Sequence, residues 1–550
     1  MENNKEVILK MSLSRKEVLK AFPSRRFRKY QKETVLKIAN AFNSGIKCIL
    51  LDAPTGSGKS YINTTFCKLM KSFYATPQLT LIDQIIEDKN ISKDFVAIKG
   101  RQNYICHHES SRTCNIGVCK QYKDFKCKKN EVCPYWMQKL RALESNAVIM
   151  SFAYFMLEGF TNTPFSFGKR RLLVLDESHS IDRYVLSHVN LTIAPYTLPY
   201  DFYEKIRRDI PKNIRSLDEL KFLVKAILEL IEIESRKYNY EQQTFDGLTL
   251  GKTIGKLKLD GFVTKAEKFL ESLDETEWVW QVKYTTYKGL PSRTVVAQPL
   301  YAKLFMKNMV WNRAELYIIS TATIISSQRY IRETGLDRAL KFNEILHLTV
   351  PSTFPVINRP IIDIAVGKMT IGKREQNLPK AIEMLEGVFE VEKGNNIAVH
   401  ARSYAFAKSI KNGINKKYLA LLITHDSSNR EEALEKWKKS KGKIFICVSF
   451  TEGQNWKYDI CRAQVLFKVP YPDLRDRRVA RRLELKQWNW YFDITLKETI
   501  QAYGRAVRSE TDKARFYVID SSFWGLLKRC KRHLPKWFSD ALPIDWDKSK

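Results

Sequence analysis

Three groups of residues have the types and spacing that chemistry requires. The first is Ala53-Pro-Thr-Gly-Ser-Gly-Lys-Ser60, a phosphate-loop pattern with alanine in its first glycine position. Gly56 and Gly58 permit the tight turn that aims successive backbone N–H groups at phosphate oxygens. Ala53, Pro54, Thr55 and Ser57 complete the cradle, and the helix starting near Lys59 adds its positive end. Lys59 would neutralise the β- and γ-phosphates, and Ser60 would place its hydroxyl on Mg2+. The second group is Asp176-Glu177-Ser-His179, at the end of an apolar strand. Asp176 is read as the Mg2+ carboxylate and Glu177 as the base that positions the attacking water.

The third group is Cys106, Cys114, Cys119, Cys127 and Cys133, half of the ten cysteines within 28 residues. Thiolate-only ligation suits zinc or an iron–sulfur cluster. The intervals hold seven, four, seven and five residues, with none of the paired C-x-x-C knuckles typical of zinc. His107 and His108 are possible ligands, but adjacent side chains rarely converge, and they are read as surface groups. Cys48, Cys67, Cys447, Cys461 and Cys530 lie singly and read as core.

These groups need elements to position them. Gln31–Phe42 is apolar at Val35, Ile38, Ala39 and Phe42, one helical face. A strand at Cys48–Leu51, a glycine-rich turn and a helix from Lys59 to about Lys71 make the βαβ pattern of a doubly wound parallel sheet. Further strands are expected at Leu172–Leu175, Leu316–Ile319, Ile397–His400, Ile444–Val448, Val465–Val469 and Phe516–Ile519. Between about 184 and 300 the pattern is mostly helical. Ser216-Leu-Asp-Glu219 reads as a capping box opening a helix with Leu217, Leu220, Val224, Ile227 and Ile231 on one face. A second helix carries Phe262, Ala266, Phe269 and Leu273. The expected fold is α/β, with two RecA-like doubly wound motor domains. Residues 1–100, 144–183 and 301–345 form the first, 101–143 a cysteine-rich insert, 184–300 a helical insert, and 346–550 the second motor domain.

The 550 residues carry 93 Lys or Arg against 60 Asp or Glu, a formal charge of +33. Such an excess costs self-repulsion, which favours a polyanionic partner such as nucleic acid over a merely solubilising surface. Lys120, Lys123, Lys126, Lys128 and Lys129 alternate with Tyr122 and Phe125, a pattern that fits a phosphate track with base stacking as well as a solvated charge run. No apolar run approaches the roughly 18 residues of a membrane span. The start lacks a signal-peptide stretch, so a reducing, cytoplasmic setting is expected.

The order APTGSGKS, DESH, STAT (Ser320–Thr323) and QAYGRAVR (Gln501–Arg508) resembles a superfamily 2 helicase of the DEAH-box type. Gly100-Arg-Gln-Asn-Tyr-Ile-Cys106, Cys133-Pro-Tyr135, Ser449-Phe-Thr-Glu-Gly453 and Pro470-Tyr-Pro472 are similar to the XPD/DinG iron–sulfur helicases. The resemblance runs from about Arg28 to Asp520 and implies an ATP-dependent single-stranded-DNA translocase and helicase. It implies 5′ to 3′ movement, monomeric action on tailed or forked duplexes, no membrane, and an arch-like helical insert beside the cluster domain. Arg28 and Gln31 match the element before the phosphate loop, and Thr76-Pro-Gln78 a strand-contacting motif. Thr321 matches the motif coupling hydrolysis to movement, and Glu452 and Gly453 a nucleotide- and DNA-facing motif. Gln501, Arg505 and Arg508 match the motif whose arginines cross the cleft to the γ-phosphate. The implied cofactors are ATP, Mg2+ and a [4Fe–4S] cluster, in preference to zinc. Cys106, Cys119, Cys127 and Cys133 are the expected ligands, with Cys114 the alternative fourth. Asn455 stands where many relatives carry Asp, and Ser151 where Asn is common. An ATP-switched binding factor and an RNA-directed helicase are the alternatives, and the compact chain would suit a phage-encoded helicase.

Overall fold

The computed structural model describes residues 12–122, 125, 127, 131–158, 166–244, 246–448 and 455–547. Seven parallel strands form the first sheet, in the order Ile345–Thr349, Cys48–Asp52, Ala314–Thr321, Arg170–Asp176, Ser72–Thr76, Ala147–Ser151, Val96–Ala97. Helices cover both faces, so strands read as continuous apolar runs. Cys48 and Leu50 point into one core while Ile49 and Leu51 point into the other. The two predicted helices are present and run Gln31–Asn43 and Lys59–Leu69, the second ending two residues before the expected Lys71.

The second sheet is also parallel, in the order Ile361–Gly367, Arg515–Asp520, Ala463–Leu466, Ile397–His400, Ile444–Cys447, Leu422–Ile423. Its third strand stops at Leu466, short of the predicted Val469. The expected boundary at 345/346 falls at the start of strand Ile345–Thr349, which pairs in parallel with Cys48–Asp52 at the edge of the first sheet.

The arch-like insert contains the two predicted helices, Leu217–Gln243 and Leu250–Glu271. They cover a three-stranded antiparallel sheet that the helical reading missed, with strands Leu191–Ile193, Leu290–Pro299 and Trp278–Tyr287 in that order. Val295 and Ala297 bury against Leu220, Val224 and Phe262, which gives the helices their apolar counterpart. Ser216 caps its helix by accepting the Glu219 N–H, but the Glu219 carboxylate takes the N–H of Arg215 at 2.8 Å rather than that of Ser216. The capping box is therefore only half formed.

The inserts touch each other. Gln242 donates its amide to the Lys120 carbonyl at 2.7 Å, and the Leu248 N–H reaches the Gln121 carbonyl at 3.0 Å. Tyr122, expected on a nucleic-acid track, packs where a Cβ at Gly247 would come within 2.4 Å of its ring. Its ring is thus engaged with the arch. Lys123, Lys126, Lys128 and Lys129 of that track lie outside the described residues.

Candidate nucleotide cleft and nucleic-acid interface

The phosphate loop turns between strand Cys48–Asp52 and helix Lys59–Leu69, with Gly56 and Gly58 at φ +81° and +82°. A side chain on either would also collide. A Cβ at Gly58 would stand 2.1 Å from the Gln31 amide nitrogen, and one at Gly56 2.1 Å from the Phe354 ring. Gln31 donates to the Ser57 carbonyl at 3.1 Å, and Arg28 to the Gly56 carbonyl at 2.8 Å. Gln31 therefore braces the loop from the first turn of helix Gln31–Asn43, and Arg28 from the segment just before it. Lys59 is buried and donates to the Ala53 carbonyl at 3.1 Å. Its ammonium lies 3.4 Å from the Glu177 carboxylate.

Asp176 ends strand Arg170–Asp176 with both oxygens held, one by the Tyr74 hydroxyl at 2.8 Å and one by Ser320 at 2.9 Å. Burial and the neighbouring Glu177 charge raise its pKa, against Lys59, Tyr74 and Ser320. Glu177 adopts a left-handed backbone, φ 49° and ψ 42°, unusual for a side-chain-bearing residue. Burial works to raise its carboxyl, but Lys59, His179 and Arg508 outweigh it and hold the group ionised. A half-buried, ionised carboxylate beside the Lys59 ammonium can order a water without taking a proton permanently.

His179 Nδ1 lies 3.1 Å from the Thr321 hydroxyl, which lies 3.4 Å from that of Thr323. The Gln501 amide donates to Thr323 at 3.4 Å. Gln501 belongs to helix Trp488–Tyr503 of the second motor domain, which ends at Gly504. Arg505 and Arg508 thus stand on the loop after the helix. A cleft of about 130 Å³ gathers Thr55, Glu177, His179, Thr323, Asn455, Gln501, Arg505 and Arg508. Burial lowers the Arg508 pKa against the pull of Glu177 and Asp512. Glu452 and Gly453 lie outside the described residues.

Several contributors carried no motif. Phe354, from the segment joining the domains, sits over Gly56, and Trp537 lines the cleft. Lys497 donates to the His179 carbonyl at 2.6 Å. Its signal was present, since it lies one helical turn before Gln501 on the same face.

A larger cleft of about 440 Å³ runs between the motor domains, lined by Gln78, Arg183, Arg402, Arg430, Lys468 and Pro470 among others. Gln78 comes from the predicted Thr76-Pro-Gln78 motif, and Pro77 lines the nucleotide cleft. The motif therefore touches both sites. Ser151, in the place where Asn is common, accepts the Tyr154 N–H at 3.2 Å and so starts helix Phe152–Glu158. The cations Arg183, Arg402, Arg430 and Lys468 make this cleft suited to a phosphate backbone.

All five clustered cysteines line one cavity of about 20 Å³, together with Arg101, His107 and His108. Gly117 lets the chain pass Cys106, since a Cβ there would lie 2.8 Å from its Sγ. Burial first, then neighbouring thiols, push Cys127 up to about 11 and Cys114 up to about 12. Cys127 feels Cys133, Cys119 and Cys106, and Cys114 feels Cys133 and Cys106 while its thiol reaches the Ile105 carbonyl at 3.5 Å. The donor chemistry fits a thiolate-held group. Among the described residues, however, no group of three or more His, Cys, Asp or Glu is arranged so that it could hold a metal ion.

The insert is tied to the motor sheet. Cys133 stands at the N-cap position of helix Pro134–Glu144, with Pro134 at its first turn. The Tyr135 hydroxyl meets that of Tyr154 at 2.9 Å, and Lys139 forms a buried ion pair with Glu158. Buried Arg170 donates to the carbonyls of Ala142 and Ser145 at 2.9 Å each and to Ser72 at 3.1 Å. Removing one partner of the buried Lys139–Glu158 pair costs about 3–5 kcal/mol.

Two parallel sheets thus meet at a phosphate-loop cleft that Arg505 and Arg508, from the domain of the second sheet, also line. A family model described as helicase C-terminal domain matches residues 386–541, and one described as type III restriction enzyme, res subunit, matches residues 24–215. An XPD helicase structure superposes with a TM-score of 0.61 at 16% identity, covering 93% of this chain and 99% of that one. The S. tokodaii Xpd4 structure gives 0.55 at 15% identity, covering 94% and 100%. The ATP-dependent DNA helicase CHL1 of Eremothecium gossypii is 25% identical over 140 residues, 21% of this chain, and the match spans 17% of that relative's length.

Proposed function

We propose that the chain is an ATP-dependent single-stranded-DNA translocase and DNA helicase moving 5′ to 3′ in the cytoplasm. The observation that carries the reading is the cleft in which Glu177 of the first motor domain faces Arg505 and Arg508 of the second. An arginine that enters from the far domain stabilises transition-state charge only when the cleft closes. Hydrolysis is thereby linked to domain movement.

In this mechanism Lys59 leaves the Ala53 carbonyl for the β- and γ-phosphates. Ser60 and Asp176 would hold Mg2+, which supplies Lewis-acid neutralisation of phosphate charge. Glu177 orients the water in line with the γ-phosphorus, and Arg505 and Arg508 bind the equatorial oxygens. Gln501 reports the closure through Thr323 and Thr321 to His179. Meanwhile Arg402, Arg430 and Lys468 grip the phosphates of a single strand in the larger cleft.

Cys106, Cys119, Cys127 and Cys133 would hold a [4Fe–4S] cluster, with Cys114 the spare thiol. Such a cluster cross-links a segment with little apolar core of its own.

Strand displacement on 5′- and 3′-tailed duplexes, with DNA and RNA tails compared, tests the reading. Unwinding only from a 5′ DNA tail is expected. Unwinding from an RNA or 3′ tail would revise substrate or polarity, and none at all despite stimulated hydrolysis would reduce the chain to an ATP-driven switch.

A further inference from the structure

Helix Trp488–Tyr503 serves the nucleotide cleft at its C-terminal end, but its first turn carries a different feature. Trp488 is 50% exposed and stacks on Phe492 one turn later, ring centroids 6.4 Å apart and planes at 27°. The Arg529 guanidinium lies 5.1 Å from the Phe492 ring centre. Inward, Trp488 meets Tyr491 edge-on at 6.5 Å, and Tyr491 stacks on Tyr471 at 5.5 Å and 22°. The Tyr471 carbonyl accepts a hydrogen bond from Arg402, which lines the 440 Å³ cleft. A run of rings therefore leads from that cleft to the outer surface of the second motor domain.

Cations rim the outer end of this run, while the exposed Glu484 precedes the helix and Asp473 acts on Tyr491 from the cleft side. Lys486 precedes the helix, Lys528 and Arg532 flank Arg529, and all four are exposed. An indole left half in water forgoes burial that would stabilise the fold. Stacked rings beside exposed cations match what an unpaired strand presents, because every base has a π face and every linkage a phosphate.

We propose that Trp488, Phe492 and Arg529 form an outer stacking step for single-stranded nucleic acid, extending the cleft's track onto the second motor domain. The inference rests on the translocase reading above. Bases beyond the cleft stack on Trp488 and Phe492, and Arg529 pairs with the adjoining phosphate. The step is sequence-neutral because nothing in it reads base edges.

The full chain is titrated with fluorescein-labelled oligothymidylates of about 8 and about 30 nucleotides, lengths that bracket a single-strand site. Trp488→Ala should weaken the long oligomer about tenfold and leave the short one unchanged, with Trp488→Phe restoring most of the loss. Hydrolysis at saturating long DNA should keep its kcat. Arg529→Gln should flatten the log–log salt dependence by about 0.7, one single-strand phosphate, whereas Trp488→Ala should not. Equal losses on both lengths, or none, would overturn the proposal. So would unchanged DNA binding with loss of self-association, which would make the patch an interface between copies. A parent chain that binds neither oligomer defeats the translocase reading itself; a parent that binds both while Trp488→Ala is indifferent defeats only the stacking step.

Discussion

The side-chain amide of Gln501 donates to the hydroxyl of Thr323 across the boundary between the two motor domains, at 3.4 Å. Thr323 reaches Thr321, and Thr321 reaches His179, beside the Glu177 carboxylate. A file of hydroxyl, imidazole and amide groups thus connects the Glu177 carboxylate to the helix that precedes Arg505 and Arg508.

Thr323→Ala should break this file without touching phosphate or metal. Losing one hydrogen bond of this kind is worth about 0.5–1.5 kcal/mol. Nucleic-acid-stimulated kcat should fall by up to about tenfold, nucleotide affinity should hold, and Thr323→Ser should recover the rate. Steady-state kinetics with and without single strand measure it; a raised KM alone would count against the file.

Glu177→Gln and Lys59→Ala should both abolish turnover but for different reasons. Loss of the water-orienting carboxylate costs roughly 10²–10⁴ in kcat with nucleotide binding retained. Loss of the ammonium weakens binding of ground and transition states together. Calorimetry separates the two variants, and brisk hydrolysis by Glu177→Gln would remove this carboxylate from its role.

Gly58→Ala tests the brace on the phosphate loop. The left-handed backbone costs an alanine about 1–2 kcal/mol, and its methyl meets the Gln31 amide. Nucleotide affinity should drop roughly tenfold or more from strain alone. Gln31→Ala in the same chain should recover part of the loss, since the clash goes and the φ strain stays.

Asp52, immediately before the loop, has its pKa raised to about 7 by burial, against Lys59 and the Ile324 N–H. The unfolded value is about 3.9. The folded chain therefore holds the extra proton, and Asp52 lowers stability progressively as pH rises from about 4 to about 7. Asp52→Asn should melt higher than the parent at pH 8 and match it more closely at pH 5. A difference independent of pH would place the effect in packing.

Cys133→Ser should lose bound iron and strand separation while nucleotide binding survives, because the phosphate loop and Glu177 lie outside the insert. Cys114→Ser should keep the iron and Cys119→Ser should lose it. Anaerobically purified protein carrying one zinc and no iron would refute the cluster, and the reverse pattern at Cys114 and Cys119 would exchange the fourth ligand.

The phosphate loop, the DESH strand end and most strands were legible in the sequence because each depends on local rules. A buried parallel strand must be a short apolar run, and a phosphate turn must have glycine where φ is positive. The strand Ile345–Thr349 was not legible as part of the first sheet, since pairing with Cys48 spans 297 residues and leaves no local trace. The arch's antiparallel sheet was hidden likewise: Trp278–Tyr287 buries only at one end, so its alternation is weak. The sequence determined which groups could act on a phosphate; that Glu177, Gln501, Arg505 and Arg508 share one cleft was decided by how two sheets pack. Groups more than 300 residues apart meet only through tertiary contact, as do the Lys497 ammonium and the His179 carbonyl. Spacing along the chain describes neighbours on a helix or strand, and a cleft between domains has no such period.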